Sequence, residues 1–271
     1  MRLPSTKVIL FNAGIVLAAG GAAIMALRSM LITPAIEPCS ERYHNMAVFA
    51  LERNGAMITA AELQAMSGGR DAGVIENVSF VRKGGPVAMQ VNLPKDAART
   101  KAGMSFPWEP NSLAGKTRAC LTYQVQFAAG FDFQRGGRLP GLGSGVGGGA
   151  GNEDFAAPVV WRSNGTGSSM VRLAREGSSP VLLPEIQDTP FAKGRWIKIE
   201  QEIVLNTPKA VDGIVRVWAD GVLVAERKDV VFRSKAETAL TTVRADVAYA
   251  DSSAAAAKDA SIWLSALEVR W

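Results

Sequence analysis

Two arginines in one glycine-rich turn, Arg135 and Arg138 of FDFQRGGRLPGL (residues 131–142), are the side chains whose type and spacing could best do chemistry. A guanidinium stays charged and can grip a carboxylate with two parallel hydrogen bonds, but its high pKa makes it a poor proton carrier. The other reactive residue types are scarce. The single histidine, His44, sits in an alternating stretch and reads as a bystander. One histidine excludes multi-histidine metal centres and leaves little room for Ser-His-Asp chemistry. Two cysteines, Cys39 and Cys120, cannot make a zinc site alone. We therefore expect no metal and no cofactor. Tyrosines are confined to Tyr43, Tyr123 and Tyr249.

The elements that must position these residues read as strands. Leu121, Tyr123, Val125 and Phe127 alternate with Thr122, Gln124 and Gln126, so one face is apolar and the other polar. Residues 158–161 and 169–173 flank Ser163-Asn164-Gly165, a hairpin signal. Residues 195–205, 214–218 and 222–225 form further strands around Asp212-Gly213 and Asp220-Gly221. Residues 74–81 and 87–93 read as two strands around a Gly-Gly-Pro turn, residues 42–51 as another, and residues 262–271 as one closing strand. Thr59-Ala-Ala-Glu62 is a capping box that starts a two-turn helix. Residues 99–115, the glycine run 143–151 and the alanine run 254–257 read as loops. Many short strands with few helical periods mean an antiparallel sandwich. An apolar content of 48% is ample for its core and excludes global disorder. The formal charge of +5 is modest and predicts no nucleic-acid partner.

Residues 8–27 form an apolar run behind Arg2 and Lys7. That length just spans a hydrocarbon core of ~30 Å at ~1.5 Å per residue. Residues 1–30 are thus expected to be an uncleaved signal anchor or a cleaved signal peptide, and 31–38 a proline-containing linker. Residues 39–271 are expected to be the exported domain. Cationic residues on the N-terminal side keep that end cytoplasmic. The expected location is single-pass in the inner membrane, with a periplasmic or extracellular domain, or secreted after cleavage. In an oxidising compartment Cys39 and Cys120 can form a disulfide; two buried thiols are the alternative.

Several landmarks, taken together, resemble a known family. They are residues 131–142, Val160-Trp161-Arg162-Ser163-Asn164-Gly165, Gly194-Arg195-Trp196, Leu205-Asn206-Thr207, Asp212-Gly213 to Asp220-Gly221, and Val231-Phe232-Arg233. Their order and spacing over residues 121–271 are similar to the polysaccharide lyases of family 14, which include alginate and glucuronan lyases. The first motif is the most specific. The resemblance implies a two-sheet, concanavalin-like jelly roll with a groove for an acidic polysaccharide. It also implies cleavage by β-elimination, in which the uronate carboxylate is neutralised, a base takes the C5 proton and an acid protonates the leaving oxygen. By the same carry-over Arg138 stands where the family has a lysine and is the candidate catalytic residue, as a carboxylate clamp. Ala156 and Pro158 stand where the family shows Ser-x-Arg, and Met170 and Arg172 where it shows Tyr-x-Tyr. Arg138, Arg162, Arg172, Arg135 and Tyr249 are the candidate substrate-binding residues. Two functions remain open: a divergent lyase, or a catalytically degenerate relative that binds an exported acidic polysaccharide.

Overall fold

Period-two alternation builds most of the chain into strands, as residues 121–127 predict. The computed structural model describes residues 36–82, 86–95, 103–145, 154–173, 180–184, 190–250 and 258–271. Within it, Glu37–Trp271 form one compact unit. The expected N-terminal helix and the loop at 254–257 lie outside the described residues, as do most of the linker and of the glycine run. Among the described residues no helix is long and apolar enough to cross a membrane.

The chain opens with β1 (Met46–Phe49), the short ladder β2 (Glu52–Arg53) and β3 (Ala56–Met57), helix α1 (Ala60–Met66) and a single helical turn α2 (Val74–Asn77). Next come β4 (Val78–Arg82), β5 (Val87–Leu93), β6 (Pro107–Trp108) and β7 (Arg118–Phe127). The middle of the chain supplies β8 (Gly137–Gly143), β9 (Phe155–Trp161), β10 (Gly167–Leu173) and β11 (Val181–Leu182). β12 (Trp196–Val204), β13 (Gly213–Ala219) and β14 (Val222–Val230) form a meander. β15 (Thr242–Arg244), β16 (Ala248–Tyr249), β17 (Ala260–Leu264) and β18 (Leu267–Arg270) close the chain. Among the described residues these pair into a nine-stranded sheet, β14-β13-β12-β7-β17-β5-β4 with β18 and β1 joined beside β7. A seven-stranded sheet, β11-β10-β9-β8-β15-β6 with β16 on β8, packs on it. Every ladder between these named strands is antiparallel.

Local chemistry explains both the agreements and the differences. The capping box forms as expected: the Glu62 amide donates to Thr59 Oγ1 at 3.2 Å, and the Thr59 amide to the Glu62 carboxylate at 2.7 Å. Residues 74–81 are not one strand. Gly73, at φ +70°, turns the backbone into α2, and pairing begins only at Val78. Residues 42–51 pair only over Met46–Phe49, after a 3-10 turn at Cys39–Glu41, and β6 interrupts the loop expected at 99–115. The closing strand is two strands. Ser265 breaks it, its amide donating to the Gln124 carbonyl and its hydroxyl accepting from the Gln124 amide, so β17 and β18 pair with successive parts of β7.

The core lies between the two large sheets. Leu121, Tyr123, Val125 and Phe127 of β7 are all buried there, each such side chain worth about 1.5–3 kcal/mol. An aromatic cluster of Phe127, Phe131, Phe133, Trp161, Phe191 and Tyr249 fills one end. A polar bridge crosses the middle. Gln201 of β12 accepts from the Leu142 amide at 2.8 Å and donates to the Ala157 carbonyl at 2.6 Å and Ser169 Oγ at 3.1 Å. Buried amides of this kind are tolerated only when satisfied, and this one is.

Candidate functional site

The turn with the two arginines becomes β8, and its odd composition answers to packing. A Cβ on Gly137 would sit 1.9 Å from the Trp161 ring, and one on Gly141 2.1 Å from the Ala157 carbonyl oxygen. No side chain fits at either position. Pro140 supplies no amide, and the register against β9 shifts between Leu139 and Gly141. The bulge is satisfied across the core: Tyr123 Oη donates to the Pro140 carbonyl at 3.1 Å, while Gln201 takes the Leu142 amide. Leu139 and Leu142 point inward and are fully buried. Arg138, beside Leu139, therefore projects from the outer face of the seven-stranded sheet.

On that face the register brings Arg138 beside Val160 and Ser168, and Gly143 beside Ala156 and Arg172. Arg244 enters from β15, opposite Gly141, and Asp246 follows two residues later. Arg138, Arg172, Arg244, Asp246 and Asp154 line a groove of about 400 Å³ floored by Ala156 and Pro158. Asp246 sits between two of the cations: its carboxylate is 4.0 Å from Arg138 Nε and 3.8 Å from Arg244 Nη2, and it accepts from Ser105 Oγ. Asp154 and Arg172 differ. Their side chains make no hydrogen bond or ion pair with the described residues. Burial alone pushes the Asp154 carboxyl above the usual carboxylate range. The arrangement can hold carboxylates on three guanidiniums, and among the described residues its acidic side chains are Asp154 and Asp246.

The family model for polysaccharide lyase 14 matches residues 82–182 and 185–265. The chain belongs to this family. A comparison with curated proteins gave no match. Among solved structures, a marine alginate lyase of the same family from Aplysia kurodai is similar, with a TM-score of 0.66 and 19% identity over 84% of this chain and 98% of that one. Alginate lyase vAL-1 from Chlorella virus has a TM-score of 0.62 and 16% identity over 78% of this chain and 96% of that one. The endo-β-1,4-glucuronan lyase of the fungus Trichoderma reesei has a TM-score of 0.54 and 16% identity over 71% and 86%. At such identities these likenesses speak for the fold.

The family positions carried over from the sequence share one face. Arg138, Ala156, Pro158 and Arg172 line the groove, and Met170 lies between Ser168 and Arg172 on the same side of β10. The remaining candidates lie elsewhere. Tyr249 of β16 points into the core, stacked on Phe131 and edge-on to Trp161. Burial raises its pKa, with Arg135 pulling the other way and Asp132 adding to the rise. Arg135 lies over the Tyr249 ring at 4.4 Å. Arg162 sits at the base of the β9–β10 turn, half-buried, its backbone bonded to Gly165 and Thr166. None of these three lines the groove. Tyr123 is core, and Tyr43 donates to Glu202 at 2.7 Å on the far sheet.

Sequence reasoning missed Arg244, Asp246 and Asp154. A signal existed for the first two: Val243, Ala245 and Val247 are buried, alternating with two charges of opposite sign. That period-two pattern marks a strand with charge on its outer face. Asp154 carried no signal beyond closing the glycine run.

The other face of the molecule holds a second polar cluster. Cys39 and Cys120 are joined in a disulfide, which lays Cys39–Glu41 across the outer side of β7 and β12. Beneath it the Ser40 amide donates to Glu200 at 2.8 Å. Glu202 accepts from Tyr43, from Arg42 at 2.9 Å and from Arg216 at 2.8 Å. Burial raises the Glu202 pKa, but the hydrogen bonds from Arg42, Tyr43 and Arg216 outweigh it and hold the carboxyl below its ordinary range. Cys39, Cys120 and Glu200 lie close enough to share an ion, but both sulfurs are committed to the disulfide.

Proposed function

We propose that this lyase-family protein binds an exported, uronate-containing polysaccharide, and that its groove keeps the family's carboxylate grip without the family's proton-transfer residues. One observation carries this reading. Arg138, Arg172 and Arg244 line a single groove in which, among the described residues, no tyrosine, lysine or histidine takes part. Guanidiniums recognise carboxylates by geometry as well as charge, and a cleft lined by one sign concentrates an anionic chain. The alginate and glucuronan lyases of similar fold support the ligand class. The disulfide supports an oxidising, extracytoplasmic location for the domain. Anchoring in the inner membrane through residues 1–30, or secretion after their removal, belongs to this proposal.

β-Elimination is the second reading. Family membership favours it, as does the Asp154 carboxylate, which pairs with no described residue and is the most evident proton acceptor among the described groove residues. Arg138 would neutralise the uronate carboxylate, a base would take the C5 proton, and the C4–oxygen bond would break, its oxygen protonated by an acid, to give an unsaturated uronate. One experiment separates the two. The full chain is incubated with alginate and with polyglucuronate while ultraviolet absorbance of the unsaturated product is followed, and binding is measured by calorimetry. Saturable, salt-sensitive binding that weakens in Arg138→Ala, without product, supports the binding reading. Product formation restores the enzyme. Absence of both removes the groove's assignment.

A further inference from the structure

The groove is not uniformly cationic. Arg138 lies opposite Val160, Arg172 lies opposite Ala156, and Asp154 follows on the same side two residues beyond Ala156. Two residues of strand cover roughly 7 Å. Charge along the groove thus runs from three arginines, two of them flanking Asp246, to the Asp154 carboxylate. Among the described residues that carboxylate neutralises no cation. Asp246 already serves Arg138 and Arg244, whereas Asp154 is paired with no described residue, Arg172 included. Its place is also made for it. A Cβ on Gly145 would lie 2.4 Å from the Asp154 carboxyl carbon, so the glycine leaves the space that the carboxyl fills.

A partly buried carboxylate with no partner among the described residues, in a sugar-sized groove, accepts hydrogen bonds from hydroxyl or amide groups and repels a second carboxylate. We infer that Asp154 selects a heteropolymer, in which a uronate held by the arginines is followed by an uncharged sugar whose hydroxyl or amide groups donate to Asp154. The inference rests on the groove being the polysaccharide site. A homopolyuronate carries a carboxylate on every unit and meets Asp154 with like charge. An alternating chain does not.

The test uses the full chain and two glucuronate oligosaccharides of equal length, one polyglucuronate and one alternating with N-acetylglucosamine. Binding is measured by calorimetry for the wild type, Asp154→Asn and Arg138→Ala. The wild type is expected to bind the alternating chain at least about tenfold more tightly, the scale of a like-charge juxtaposition partly screened by salt. Asp154→Asn should close that gap, mainly by tightening polyglucuronate, and Arg138→Ala should weaken both. Equal wild-type binding of the two, or an Asp154→Asn change of the same size for both, overturns the selection. If Asp154→Asn keeps both affinities but abolishes product formation, Asp154 is a proton-transfer group and the selection is likewise overturned. If neither chain binds wild type, the groove assignment itself fails, a different result from the loss of preference.

Discussion

Each groove arginine has a different hold on its surroundings, and the differences set the expected mutant effects. Arg138 is side-chain exposed by only 22% and sits 4.0 Å from Asp246, so it arrives at a ligand already oriented. Arg138→Ala should lower affinity for an acidic oligosaccharide by about tenfold or more, and Arg138→Lys should recover only part of it, because a point charge loses the two-pronged geometry. Titration calorimetry at two salt concentrations checks both. Arg172 is exposed and unpaired among the described residues, so Arg172→Ala should weaken binding with little change in melting temperature. Arg138 was legible in the sequence because its neighbours are unusual, and Arg172 because it follows a hairpin at the right distance. Arg244 and Asp246 were not, since a lone Arg-x-Asp in a short alternating stretch looks like any solvated strand edge. Tyr249 lies opposite Gly137, next to Arg138 in β8, but its ring is taken up by the aromatic cluster.

At the scale of the element, β8 shows why a motif can be specific and still say little about chemistry. Of its residues, the glycines answer to the Trp161 ring and the Ala157–Pro158 backbone, proline to the bulge, and leucines to the core. Only Arg138 faces the groove. Gly141→Ala must push apart two paired strands and should cost roughly 1–3 kcal/mol or more, read as a drop in urea midpoint. Gln201→Leu should be as severe. It leaves the Leu142 amide and the Ala157 carbonyl buried without partners, at about 1–3 kcal/mol each. The strands themselves were legible wherever alternation was clean, as in β5 and β7. They were not legible where one residue overrode the pattern. Gly73 coils residues that look like a strand, and Ser265 splits one apolar run so that both halves can reach β7. Those decisions depend on partners distant in sequence.

For the whole molecule, stability should depend on pH and on redox state through the cluster around Cys39. Glu202 has a folded pKa below its unfolded value, so its contribution is present above the unfolded carboxylate range, about 4.3, and is lost as pH falls through the folded value. Melting temperature should therefore fall on acidification below about pH 4, and Glu202→Gln should flatten that dependence while destabilising the protein at neutral pH by roughly 3–5 kcal/mol. Replacing both cysteines by serine should cost about 4 kcal/mol on the loop-entropy model, since the bridge closes a separation of 81 residues. Denaturant unfolding with and without reductant measures it.

That same bridge has a mechanical consequence. Cys120 lies in β7, which pairs with β12 on one side and with β17 and β18 on the other. Tension applied from the N-terminal side reaches Cys39 and crosses at once to the centre of the sheet, bypassing the stretch between the two cysteines. The short helices and the β2–β3 ladder lie within that stretch, off the covalent path from Cys39 to Cys120. Pulled from its two ends, the oxidised domain should resist until the β7 ladders shear. It should then extend by a contour shorter than that of the reduced one by roughly 80 residues, about 3.3–3.6 Å each. A domain held by its N-terminal side against drag on a long, grooved ligand would thus bear load through a covalent bond and its central strand.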